Sequence, residues 1–354
     1  MSHFSKSSYL VEFNRLGSRI KKWDIPILAL LCLVDKNKGI LGFRGGRDFI
    51  RKLRATQLRE DLYLGNVSDV KIEILVVVAG KDIHLLQHCL KAAILCTRNQ
   101  ISKITTISPP DDVKQCIEQV SGMETKIQFE CLDENDFFGK KWHDQLQSKF
   151  GNRFGWVYQQ LITLKFVQES TSHGVLVLDA DTLLLKPAEW LGPDGNQIML
   201  VSLEKHPPYY NFLSEVIKTP KNPKNTFVTH HMLFQPHLVR AIIARTVGEL
   251  DSLIQKLLEF EHKDLQSPVC IEFEFYGQEM SRFFKEKIDL RKFANIGVHS
   301  GVIENLNFDQ FYRKLVRLPY NSISFHEYMA RDFRKVNNIE IENEVISVLK
   351  NLDF

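Results

Sequence analysis

No stretch of this chain is long and apolar enough to cross a bilayer. The longest apolar run, IPILALLCLV at 25–34, is about half the ~20 residues a spanning helix needs. Basic residues precede it, as in a signal peptide, but Asp24 and Pro26 interrupt its start and no A-x-A site follows. It reads as a buried element. Cysteine is sparse: Cys32, Cys89, Cys96, Cys116, Cys131 and Cys270 show neither C-x-x-C spacing nor a compact framework. In a chain of this length they read as free thiols in a reducing compartment, and the expected location is the cytoplasm. No repeat of solenoid period and no low-complexity tract is present. Charge of one sign is also lacking: the net is +3, which singles out no partner, and no nucleic acid is expected.

What is there is the composition of an ordinary soluble globular protein, 44% hydrophobic and 25% charged over 354 residues. That length holds one large α/β domain with additions, or two smaller ones. The charge is unevenly placed. Residues 1–60 carry 13 Lys and Arg against 5 Asp and Glu. Much of the excess lies in residues 40–60, with Arg44, Arg47, Arg51, Lys52 and Arg54 interleaved with Phe49, Ile50 and Leu53. Such a segment suits an anionic membrane surface or a phosphorylated substrate, and equally a solvated helix face.

From residue 72 the pattern alternates. IEILVVV (72–78) is a strand by its β-branched run, and 82–97 has apolar residues at helical spacing. KITTIS (103–108) is a second strand, and the prolines and acids of PPDDVKQCIEQV open a helix. TKIQFECL (125–132) is a third strand, 156–170 an amphipathic helix, and GVLVLD (174–179) a fourth strand. Beyond 190 the pattern is mixed, with strands expected at 197–203 and 227–234 and helices over 236–262 and 304–317. The class is α/β, a mostly parallel sheet with helices on both faces. Ligands bind such sheets beyond the carboxyl ends of the strands.

At one of those ends stand Asp179 and Asp181, in GVLVLDADTLLLKP. Two like charges at the mouth of a buried strand repel unless a cation or a proton sits between them. An apolar strand followed by D-x-D about 100 residues into an α/β region resembles the D-x-D motif of glycosyltransferases of the GT-A fold. The resemblance implies that the pair holds Mn²⁺ (or Mg²⁺), which binds the diphosphate of a nucleotide sugar, a UDP-sugar being the expected donor. Hard oxygen ligands suit such a cation. DADTLL is also similar to the D-x-D-G-T-L signature of haloacid-dehalogenase-type phosphatases, in which Asp179 would be a nucleophile. Against that, the Gly is absent and at least three strands come first.

Further segments extend the likeness to a group of little-studied bacterial glycosyltransferase-like proteins over residues 72–330. WVYQQLITLKF resembles their W-x-x-Q-Q helix. This implies a substrate contact at Gln160 and a phosphate contact at Lys165, although their Lys position is Thr163 here. FVTHHMLFQP (227–236) resembles the segment placed against donor sugar and acceptor, implying His230 and His231. Alternation in a strand would turn one of these inward and one outward. IEFEFYGQ (271–278) resembles their E-x-x-x-Y-G segment, implying an acid facing the acceptor. Glu272 and Glu274 are read as sharing one face of a strand, with Glu272 preferred as catalytic base. The nucleotide is expected at the first strand's end, against Val78, Ala79, Lys81 and Asp82, with Asp179 and Ala180 opposite. GT-A enzymes often recruit a late histidine as a metal ligand, so His299 completes the expected set with Asp179 and Asp181, and His326 is second choice.

The organisation expected is a basic, mainly helical extension (1–70), a catalytic domain (71–330) and a helical tail (331–354). In the domain, 72–190 is the nucleotide half and 191–330 the acceptor half. The expected partners are a nucleotide-sugar donor and a glycan or glycolipid acceptor, with peripheral membrane contact through 40–60. A non-catalytic glycan-binding protein of the same fold is the remaining alternative.

Overall fold

The computed structural model describes residues 68–326 apart from 124, 203–206, 221–222, 263–270, 300–311, 313–314 and 317–319. The apolar run at 25–34, the basic segment 40–60 and the expected C-terminal tail lie outside the described residues, as does all but the end of the expected N-terminal extension. Every described residue belongs to one compact unit, Ala55–Asp332. No helix among the described residues is long and apolar enough to cross a membrane.

β1 (Ser68–Val77) is followed by α1 (Ile83–Cys96), β2 (Asn99–Ser108), α2 (Pro110–Ser121) and β3 (Gln128–Asp133). α3 (Lys140–Phe150) and α4 (Phe154–Glu169) then lead to β4 (Val175–Asp179) and β5 (Thr182–Leu184). The central sheet has the order β3-β2-β1-β4-β7, where β7 is His231–Phe234. All its pairings are parallel except β4 with β7. β6 (Gln197–Val201) pairs with β8 (Ile288–Lys292), and β10 (Ser322–His326) pairs with β5 and with β9 (Asn295–His299).

The apolar runs are buried on both faces, as parallel strands require. Leu75, Ile107, Val175, Val177 and Phe234 share a core cluster with Leu161, Leu164 and Val167 of α4. Ile74, Val76, Leu176 and Leu178 are equally buried. By alternation they face the other side, which α1 and α2 cover if the crossovers are right-handed.

The chain runs outward from β1 to β2 and β3, then returns to place β4 on the other side of β1. Between β1 and β4 lies the switch point at which such sheets open a crevice. Asp179, the last residue of β4, is the register partner of Val77 at that point.

Three expectations are corrected. IEFEFYGQ is not a strand: α8 spans Phe273–Phe283, after α5 (Pro207–Phe212), α6 (Pro236–Thr246) and α7 (Leu250–Glu259). Glu272 is its N-cap residue. The strand expected over 227–234 is confined to β7, because residues 227–230 leave the ladder. The helix expected over 236–262 is two helices, parted at Gly248, whose φ of +88° suits glycine.

Candidate active site

β4 delivers Asp179 to the sheet edge, and its N–H donates to the His230 carbonyl at 2.9 Å. Two residues later the Asp181 carbonyl accepts from Phe325 N–H at 2.8 Å. The two acids are thus pinned by backbone from different directions, β7's approach on one side and β10 on the other. Each carboxylate takes an imidazole. Asp179 Oδ2 lies 2.9 Å from His230 Nδ1, and Asp181 Oδ2 lies 3.0 Å from His326 Nδ1. The two rings are 5.2 Å apart between centroids. Thr182 adds a hydroxyl to Asp181 Oδ1 at 3.2 Å and is itself held by Ser324 at 2.8 Å.

Ligand atoms of Asp179, Asp181 and His230 all lie within 4.8 Å of one another. At such separations two carboxylates repel by a few kcal/mol when half-buried. Their proton affinities part accordingly. Burial pushes Asp179 up, against the His230 bond and charge, and repulsion from Asp181 adds to the rise. Burial also pushes Asp181 up, but the hydrogen bond and charge of His326, with help from His230 and Thr182, hold it below its ordinary value. Two carboxylates and an imidazole at this spacing are a donor set that could hold a metal ion. Asp179, Asp181 and His230 would hold it, with His326 against the Asp181 carboxylate.

His299 is the register partner of His326 on β9, so β9 and β10 bring both late histidines to one level, and His326 bonds Asp181. His230 and His231 do divide. His230 reaches the carboxylates, whereas His231 is 1% exposed between Trp190 and Phe293, with ring centroids 5.4 and 5.7 Å away. Burial, then the neighbouring His230, lowers His231 to about 3. The structure therefore places His231 in the core and not toward a substrate.

On the β1 side, Val78 is buried and its N–H donates to the Ile107 carbonyl at 2.8 Å. Ala79, Gly80 and Lys81 follow exposed, beside Asp179 by register, and Lys81 pairs with Asp82 at 2.8 Å. Ala180 is buried behind the turn. By register the Ala79–Lys81 turn follows Val77, the partner of Asp179, at the same end of the sheet. Lys165 is not at that end. It pairs with Glu169 at 2.8 Å one turn before the end of α4, and Ser170 there bonds Glu73, which is level with the start of β4. The helix runs antiparallel to β4, so its last turns lie toward the opposite edge of the sheet.

The 271–278 segment divides by role. Glu274 accepts from Phe227 N–H at 2.6 Å, Thr226 Oγ1 at 3.1 Å and Gln278 Nε2 at 2.6 Å, all in the buried interior. Its lone pairs are occupied in holding the chain that leads to His230. Tyr276 Oη donates to Gln197 Oε1 at 2.8 Å and accepts from Gln235 N–H at 3.0 Å. Gly277 leaves room for Phe227, whose Cγ would lie 2.2 Å from a Cβ built there. Glu272 remains. It is buried, and Thr163 hydrogen-bonds its carboxyl; burial, then the Asp179 charge, push it up to about 8.

Gln160 makes no open contact of the kind expected for a substrate residue. It is fully buried, accepts from Ile271 N–H at 2.7 Å and donates to the Trp156 carbonyl at 2.9 Å. A helical i, i+3 reading of Gln160 and Thr163 would have shown that they share a face. Nothing in the sequence marks that face as meeting 271–272.

A carboxylate pair at the switch point of a mostly parallel sheet, each member joined to a histidine, defines a class: α/β proteins with a crevice whose acids and imidazoles could hold a metal ion. The chain belongs to the family of unknown function DUF6492, whose model matches residues 78–259. No curated protein matches it. Among solved structures it is similar to mouse xyloside xylosyltransferase 1 in its apo form, at 10% identity over 72% of this chain and 97% of that one, with a TM-score of 0.40. It is also similar to the galactosyltransferase LgtC in complex with donor and acceptor sugar analogues (12% identity, 72% and 86% covered, TM-score 0.38). A third is the mannosyltransferase Ktr4p from S. cerevisiae (11% identity, 58% and 70% covered, TM-score 0.36). Likeness at these values carries no functional argument, which falls to the site itself.

Proposed function

We propose that the protein is a metal-dependent glycosyltransferase of the GT-A type, moving a sugar from a nucleotide donor, UDP-linked, to a hydroxyl of a glycan or glycolipid. The observation that supports this is the cluster Asp179–His230 and Asp181–His326 at the β1/β4 switch point. Mn²⁺ suits its mixed oxygen and nitrogen donors better than Mg²⁺, which prefers oxygen. A cation bound there supplies positive charge against the diphosphate that departs.

The residues around it divide the remaining work. The exposed turn Ala79–Lys81 and the end of β4 flank the nucleotide. Glu272 accepts the proton of the acceptor hydroxyl in an inverting transfer. Asp179 and Asp181 cannot serve, since their oxygens are committed on the diphosphate side. Glu274 cannot, since three donors already hold it. With its proton affinity raised to about 8, Glu272 is free to take that proton chiefly on the alkaline side of neutrality, so transfer should rise with pH through that value. The phosphohydrolase reading is not favoured, because Asp179 follows β4 and engages an imidazole.

Glu272→Gln keeps size and polarity but takes up no proton. Transfer by the variant, followed as UDP release from UDP-hexoses with MnCl₂ and a panel of sugar acceptors, should fall on the order of 10²–10⁴-fold. UDP affinity should stay unchanged. Wild-type turnover in Glu272→Gln would remove it as the base and favour a retaining mechanism.

A further inference from the structure

Two buried polar groups on α4 touch one place. Gln160 is 0% exposed and Thr163 1%. They stand three apart, so they share one face of the helix. Gln160 Oε1 takes the main-chain N–H of Ile271 at 2.7 Å, and the Thr163 hydroxyl bonds the carboxyl of the next residue, Glu272. Gln160 is in turn fixed by its Nε2 on the Trp156 carbonyl at 2.9 Å. One helix face therefore grips both the backbone and the side chain of a single two-residue step.

That step needs such a grip. Glu272 has φ −93° and ψ −80°, outside the helix that begins after it, and its own side chain makes no cap bond to that helix. Just outside the helix, at the residue before the N-cap, the main-chain N–H of Ile271 is met by Gln160. A carboxyl so placed, with a buried hydroxyl on it, holds one position instead of several rotamers.

We infer that Gln160 and Thr163 are positioning residues that aim the Glu272 carboxyl into the crevice and are not themselves substrate contacts. The inference rests on the reading of Glu272 as the acceptor-facing base. Reacting groups tolerate little misplacement, and a shift of about 1 Å can cost on the order of 10²-fold in rate.

The test uses the full chain, with UDP-hexoses, MnCl₂ and water or sugars as acceptor. Gln160→Met and Thr163→Val should each lower kcat on the order of 10-fold or more while the donor KM, Mn²⁺-linked UDP affinity and Tm stay near wild type. Thr163→Ser, which keeps the hydroxyl, should restore turnover. Independently of activity, hydrogen exchange at the Ile271 amide should speed up in Gln160→Met, with exchange over β1 and β4 unchanged. Wild-type kcat in both variants, with Glu272→Gln inactive, overturns the inference and leaves the base in place. Unaltered exchange at Ile271 in Gln160→Met also overturns it. Wild-type kcat in Glu272→Gln overturns the base reading itself, and the inference falls with it.

Discussion

At the residue scale, two neighbours in the sequence do opposite things because β7 begins between them: His230 precedes the ladder and His231 is its first residue. His230 meets Asp179, and His231 is sealed between Trp190 and Phe293. The burial has a consequence for acid stability. In the folded protein His231 stays neutral down to about 3, whereas the unfolded chain takes up a proton near 6.5. Between those values the unfolded state binds the extra proton, so stability falls as pH falls, by up to about 1.4 kcal/mol per pH unit. Glu272 acts in the opposite sense: raised from 4.5 to about 8, it binds the extra proton in the folded state, so its contribution is lost as pH rises through that window. His231→Phe should flatten the acid limb of stability seen by urea unfolding, while the alkaline side keeps its slope. An unchanged acid limb would mean that His231 titrates normally. That one of the pair would turn inward was expected from the sequence, although by alternation within a strand, and His230 in fact precedes β7. Which of the two faces the crevice was not legible, because that depends on where β7 joins the sheet, and β4 fixes this from 50 residues away.

At the scale of elements, the segment 271–278 shows why local pattern misled. Glu, Phe, Glu, Phe alternate as a strand would, and in isolation period two is the better fit. The chain forms α8 instead, and Glu274 and Tyr276, which a strand would put on one face, leave the helix in different directions. Glu274 reaches Thr226 and Phe227, and Tyr276 reaches Gln197 on β6 and Gln235. Tertiary hydrogen bonds outweigh a weak local preference here. The packing of α8 on that loop sets a prediction. A Cβ at Gly277 would meet the Phe227 ring at 2.2–2.6 Å. Gly277→Ala should therefore destabilise by about 1–3 kcal/mol, as overpacking does. The same change in a Phe227→Ala background should cost much less, and the coupling in a double-mutant cycle measures the contact. Additive effects would show that the loop moves aside freely. The β/α alternation of the nucleotide half, by contrast, was plain in the sequence. Buried parallel strands read as unbroken apolar runs whatever surrounds them.

At the scale of the whole molecule, the sheet order decides what the motifs mean. D-x-D alone is common; D-x-D that begins on the last residue of the strand that reverses the sheet order is a candidate site. The sequence could not show that β4 returns beside β1, since the strand order depends on contacts far apart in the chain. Nor could it show that His326 reaches Asp181, because pairing β10 with β5 makes that contact across 145 residues of sequence. The basic segment at 40–60 bears on how the molecule is placed in a cell, and we propose that it meets an anionic membrane surface. Full-length protein should then bind phosphatidylserine vesicles at low salt and lose binding as salt rises. Replacing Arg47, Arg51 and Arg54 by Gln should weaken it without changing UDP affinity. No vesicle binding by the wild type at low salt would return the segment to a solvated surface. The central claim is that Asp179 and Asp181 hold the cation that binds the donor's diphosphate. Titration calorimetry of UDP with and without MnCl₂, on the wild type and on Asp181→Asn, tests it most directly. The account predicts UDP binding that requires Mn²⁺ and is abolished in Asp181→Asn at unchanged Tm, and weakened in Asp179→Asn. Equal UDP affinity with and without Mn²⁺, or wild-type Mn²⁺-linked affinity in both variants, would contradict it.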